Sequence, residues 1–143
     1  MSAFDDLPVD REFVSDPRVI SADDVAAFAT LTGDTFAIHL DDEAAARSGY
    51  ERRIAHGMLV LSCSIGLAMQ MDLVNEALIA FAGIDKLRFT APVFIGDAIR
   101  VKKRVTEKRP IDASRGLLTF DTKVVNQHAA IVVAYVDRYL LRR

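Results

Sequence analysis

Two side chains in the stretch Gly33-Asp34-Thr35-Phe36-Ala37-Ile38-His39-Leu40-Asp41 can move protons: the carboxyl of Asp34 and the imidazole of His39. A carboxylate and an imidazole that meet on one water molecule form a general acid–base pair. Regular structure does not bring these two together. On an ideal helix they point about 140° apart, and on a strand they face opposite sides. Convergence requires a turn around Phe36-Ala37. An ordinary account also fits, in which Asp34 caps a helix or bonds the turn and His39 is a partly buried structural residue.

The other reactive residue types offer less. His56 sits, like His39, beside a break in regular structure, whereas His128 falls in a hairpin connection and is expected to be exposed. Zinc needs three or four clustered ligands; no His/Cys spacing supplies them, so no metal is expected. Cys63 lies inside an apolar run and reads as a small buried hydrophobe. Ser62 and Ser64 share that run, where back-bonding to the preceding turn is their ordinary use. A glycine-rich phosphate loop is missing.

The run from Gly57 to Met71 is apolar or small almost all round, with no charge before Asp72. It lacks alternation and is too long for a typical strand, so it predicts a helix. A helix apolar on every side must be wrapped by protein or lipid. A membrane span needs about 20 mostly apolar residues, and this run is shorter and broken by Ser62, Ser64 and Gln70. It is therefore expected to be a buried central helix. His56-Gly57 at its start can bring bare backbone N–H groups close to a ligand.

Around it, residues 1–16 mix acids with Pro8, show no periodicity and suggest a surface leader, leaving residues 17–143 as one domain. Ser21-Ala22-Asp23-Asp24 is a capping-box pattern before an amphipathic helix carrying Val25, Phe28, Ala29 and Leu31. Gly33 is its natural C-cap. A second short helix runs from Asp41-Asp42-Glu43 through three alanines to Ser48-Gly49. After Asn75 the period becomes two, with Gly83 as a possible bulge. Ile99, Val101 and Val105 share one face of a strand; Arg100, Lys102 and Arg104 share the other, most simply a solvated face, alternatively a grip on a phosphate-bearing tail. Residues 108–116 read as a loop, and strands follow over Leu118–Val124 and Ile131–Leu141. Helices first and antiparallel strands after them indicate an α+β fold, a curved sheet on one dominant helix. Its long edges call for cover, which a second copy would give.

Composition bounds the partners. The chain of 143 residues has 18 basic and 20 acidic residues and a net charge of −2, which points to neither nucleic acid nor an anionic membrane. A single cysteine and an acidic start, where a signal peptide would be basic then apolar, lead to the expectation of a soluble cytoplasmic protein.

Taken jointly, Gly-Asp-x-x-x-x-His-x-Asp from Gly33, the small-residue helix, Arg53-Ile54-Ala55-His56-Gly57-Met58 before the apolar helix, the block Leu87–Asp97 and Asn126-Gln127 resemble the MaoC-like hydratases. These are the R-specific enoyl-CoA hydratases and related hydroxyacyl dehydratases of the hotdog fold, and the resemblance runs from about Pro17 onward. Much of that family has Asn-Pro where this chain has Phe36-Ala37. The Phe variant looks closer to the oxepin-CoA hydrolase branch, although Met58 stands where that branch tends to have Tyr. The serine that some R-hydratases use to orient the aspartate falls on Ile65, leaving Ser62 or Ser64 as substitutes.

The resemblance implies that Asp34 and His39 grip a water and divide its proton transfers, while the Gly57 N–H holds the charge growing on a thioester oxygen. It implies His56 and Ser62 in support, Phe36, Met58, Phe81 and Phe89 along the acyl slot, and a homodimer or higher homo-oligomer. No cofactor is implied, because the substrate carries coenzyme A or acyl carrier protein. A hotdog thioesterase is the nearest rival, but such enzymes commonly carry an acid on the long helix, and Gly57–Met71 has none. A non-catalytic acyl-CoA-binding module is the other alternative.

Overall fold

In the computed structural model, which describes residues 3–143, the expected leader is already part of the core. Helix α1 (Ala3–Asp6) buries Phe4, and Leu7 follows it inside. Strand β1 (Glu12–Val14) and strand β2 (Arg18–Val19) both pair antiparallel with one long later strand. The surface reading is therefore corrected for Phe4, Leu7 and Ser15, which are buried, while residues 8–12 are exposed as expected; Met1 and Ser2 lie outside the described residues. Too few apolar residues stand in this stretch to show a period, yet Phe4 fills the space over Gly116 and joins a buried apolar cluster.

Helix α2 (Ala22–Thr32) starts with the predicted capping box. Ser21 Oγ accepts the Asp24 N–H, and the Asp24 carboxylate accepts the Ser21 N–H at 2.9 Å. That bond, foremost among several, holds the Asp24 carboxyl below the usual aspartate range. Gly33 ends the helix at φ 78°, a left-handed conformation that glycine adopts without strain. Val25 and Ala29 are buried as predicted, but Leu31 is 84% exposed and does not belong to the inward face.

A single turn of helix, α3 (Ala37–Leu40), precedes the predicted α4 (Asp42–Arg47), which Asp41 caps through the Glu43 N–H. Helix α5 (Gly57–Gln70) is the apolar run, with Leu59, Val60, Leu61, Cys63, Ser64, Leu67 and Ala68 buried. Burial also pushes the Cys63 thiol up, away from the thiolate. No helix among the described residues is long and apolar enough to cross a membrane.

Strands β3 (Leu78–Phe89), β4 (Ala98–Pro110), β5 (Arg115–Val125) and β6 (Ile131–Arg142) complete an antiparallel sheet in the order β1-β4-β5-β6-β3. One register shift in β3 falls between Phe81 and Gly83, at the expected bulge. The loop expected over 108–116 is shorter than the sequence suggested, since Pro110 already pairs with Gly116 and β4–β5 form a tight hairpin. His128 is exposed in the β5–β6 connection, as expected.

Two apolar clusters fill the inner face. One holds Leu59, Val60, Val101, Val124, Val133 and Tyr135; the other holds Phe4, Val105, Phe120 and Tyr139. Between them lies a charged row that the alternation left unmarked. Lys103 is 2% exposed; its Nζ donates to Asp137 Oδ2 at 2.5 Å and to Thr122 Oγ1 at 2.9 Å. Thr122 in turn donates to Asp137 Oδ1. Burial draws the Lys103 ammonium below its ordinary value, opposed by the Asp137 charge. Arg100 and Arg104 stay exposed, which fits the solvated-face reading.

Candidate active site

The chain between α2 and α4 makes the turn that the Asp34/His39 pair requires. Thr32 Oγ1 accepts the Asp34 N–H, and Asp34 Oδ1 accepts the Phe36 N–H at 3.3 Å, an Asx-type turn. One helical turn later, α3 presents His39, which is buried, with its Nδ1 2.8 Å from the Ile54 carbonyl oxygen. A carbonyl only accepts, so Nδ1 carries the proton and Nε2 is left with its lone pair. The segment ahead of α5 is clamped on both sides: Ile54 N–H donates to Ile38, Ala55 N–H donates to Val93, and Ile54 bridges Phe94.

This clamp carries His56 into the same place. Side-chain ligand atoms of Asp34, His39 and His56 lie within 4.8 Å of one another. A water with hydrogen bonds of about 2.8 Å spans such a gap. The His39 and His56 rings lie against each other, with centroids 3.9 Å apart and planes 30° off parallel.

Gly57 opens α5 directly after His56, which gives the helix no side-chain cap. The first N–H groups of a long helix are thus left for a partner from outside. A cleft of about 440 Å³ lies at this end, lined by His39, Tyr50, Gly57, Met58, Phe89 and Val133 among others. A β-carbon at Gly57 would stand 2.7 Å from the Phe89 ring, so any side chain there must displace that aromatic wall.

The structure therefore brings Asp34, His39 and His56 together, and His39 also lines the cleft with Gly57, Met58 and Phe89, whereas Asp34 and His56 are not part of the cleft wall. Three other expected residues also stand outside the cleft wall. Phe81 packs on Tyr139, with ring centroids 5.2 Å apart, and is absent from the cleft wall. Phe36 is 62% exposed and stands beside the pair, its ring in a T-shaped contact with His39 and its carbonyl accepting the His39 N–H, but it is not part of the cleft wall. Ser62 is exposed and back-bonds to the Met58 carbonyl, away from the pair. Buried Ser64 donates to the Leu61 carbonyl and takes a hydrogen bond from the Tyr135 hydroxyl, tying α5 to β6. Tyr50 and Thr90 in the cleft wall, and Phe28 against His56, were not singled out from sequence; the inward phase of Phe28 on α2 was the one available signal.

The family model described as a MaoC-like domain matches residues 6–127. The chain belongs to the MaoC-like domain family. A MaoC-like relative, the (R)-specific enoyl-CoA hydratase of Aeromonas caviae, is 37% identical over 112 residues, covering 78% of this chain and 79% of that protein. Protein MaoC of Klebsiella aerogenes is 36% identical over 106 residues, 74% of this chain, but the match spans only 30% of that longer protein. Among solved structures, an Archaeoglobus protein described as a monoamine oxidase regulatory protein superposes with a TM-score of 0.91 at 34% identity, covering 100% of this chain and 99% of that one. A Mycobacterium tuberculosis protein described as a double hotdog fold superposes at 0.84 with 24% identity, over 97% of this chain and 43% of that one. The α+β hotdog architecture is thus the MaoC-like one.

Proposed function

We propose that this MaoC-like chain is a hydratase/dehydratase of acyl thioesters that adds water to an α,β-unsaturated acyl group, with (R) selectivity. The observation that carries the reading is the convergence of Asp34 and His39 within a water's reach, beside the uncapped start of α5. In the hydration direction the water oxygen bonds to Cβ while His39 Nε2 takes one of its protons, and Asp34 accepts the second O–H as a hydrogen bond. Electrons of the C=C bond move toward the thioester oxygen, where the Gly57 N–H meets the developing charge. The His39 imidazolium then gives its proton to Cα. Dehydration is the reverse. The chain supplies every proton-moving group, and coenzyme A or acyl carrier protein enters as part of the substrate.

The arrangement weighs against a non-catalytic binding module, which would need Asp34 or His39 turned away, and against a thioesterase, which would need an acid on the long helix where α5 has none. A homodimer belongs to the same reading. It is supported by β3, which ends the sheet order and exposes Ile79, Phe81 and Phe89. So does a cytoplasmic setting, supported by the single, buried Cys63.

The test is a panel of enoyl-CoA and enoyl-acyl-carrier-protein thioesters of differing length and branching, with hydration followed optically and product handedness determined. Formation of (R)-3-hydroxyacyl thioester is expected. Release of free thiol, or no turnover across the panel, refutes the proposal.

A further inference from the structure

His56 is 2% exposed and touches both halves of the reacting pair. Its Nε2 lies 2.9 Å from the Asp34 carbonyl oxygen, so that nitrogen donates. Its ring lies over the His39 ring at 3.9 Å, and Phe28 closes the other side with centroids 4.9 Å apart. With Nε2 protonated, Nδ1 is a bare acceptor, buried and without a partner among the described residues. A buried polar atom left unmet costs stability, and an apolar ring of similar size would avoid that cost. A residue kept for packing alone would have no use for the nitrogen.

We infer that His56 is a positioning residue for the hydration step: its N–H fixes the Asp34 backbone at the exit of α2, and its ring fixes the plane of His39. Because Gly57 follows it, the same residue sets the start of α5 against both Asp34 and His39. It takes no proton from the water and does not touch substrate. The inference rests on the function proposed above. A misplacement of about 1 Å in such a pair is worth up to 100-fold in rate, while binding of the acyl thioester in the cleft is left largely intact.

Two substitutions separate its contacts. His56→Phe keeps a ring between Phe28 and His39 and loses the donor; His56→Gln keeps a donor and loses the ring. Each is expected to lower kcat by tenfold or more, with KM within about threefold of the parent and a melting point within a few degrees. Proton NMR of the parent is expected to show a slowly exchanging His56 ring N–H that His56→Phe abolishes. If both variants keep kcat, or if kcat falls only in step with the folded fraction, the positioning role is overturned. If the parent turns over no thioester at all, the function proposal fails while the ring N–H signal still tests the geometry. A rapidly exchanging ring N–H overturns the contact to Asp34 whatever the activity.

Discussion

Asp34→Asn separates chemistry from architecture because the structure gives Asp34 two duties on different atoms. Its backbone carbonyl receives the His56 N–H, which the substitution leaves alone. Its Oδ1 receives the Phe36 N–H at 3.3 Å, and an asparagine carbonyl oxygen accepts that bond equally. The residue is exposed, so the change in unfolding free energy is expected to stay within about 0.5 kcal/mol. What disappears is the anionic acceptor for the water. Without it the water is no longer held and polarised for the His39 base, and the rate is expected to fall about 100-fold, or about 2.7 kcal/mol on the barrier. Hydration of a short enoyl-CoA, followed by loss of the enoyl thioester absorbance, reads the rate; urea unfolding on the same preparation reads the fold. A rate within threefold of the parent would remove Asp34 from the reaction. A stability loss of 2 kcal/mol or more alongside the rate loss would show that the turn, not the charge, was damaged.

Gly57→Val places its side chain against Phe89, whose half-exposed ring can swing aside; turnover is expected to fall about 100-fold with stability within about 1 kcal/mol, and an equal decline of both in parallel assays counts against the Gly57 donor. Lys103→Met strands the Asp137 carboxylate in the core and is expected to cost about 3–5 kcal/mol, whereas Lys103→Met with Asp137→Leu recovers most of it; urea midpoints that add instead of cancelling contradict the pairing. Asp24→Ala removes half of the capping box and is expected to cost about 1 kcal/mol near neutral pH. Because folding depresses the Asp24 carboxyl, its contribution is present above the ordinary aspartate value and is lost as pH falls through the lowered one. The gap between parent and variant urea midpoints should therefore shrink below about pH 4; a constant gap would show that the carboxylate is not the source.

Features carried by neighbouring residues were legible in the sequence. The Ser21/Asp24 box, the Gly33 cap and the apolar length of α5 are local signals, and each appears where the residues placed it. So was the need for a turn between Asp34 and His39, since it follows from their spacing alone. Tertiary partners were not. Alternation puts Phe81 and Phe89 in one strand but does not say that Phe89 meets the cleft and Phe81 meets Tyr139. The packing of His56 on His39 joins segments held together by tertiary bonds, the Ile54 N–H to the Ile38 carbonyl and the His39 ring to the Ile54 carbonyl. Lys103 was the instructive omission. It occupies the inward phase between Val101 and Val105, as Asp137 does between Tyr135 and Tyr139, and two opposite charges in inward phase on separate strands are a signal that a face-by-face reading can use.

That pair also settles a question the aliphatic pattern leaves open. Sliding β5 or β6 by two residues against its neighbour keeps every inward side chain inward, so hydrophobic burial scarcely distinguishes the shifted sheet from the native one. Lys103 does distinguish them: opposite Thr122 and within reach of Asp137 it is matched, whereas a two-residue slip of β5 would take away its hydroxyl partner and a slip of β6 its carboxylate. The charged row acts as a key tooth among interchangeable ones, admitting a single alignment of the strands that build the wall of the cleft.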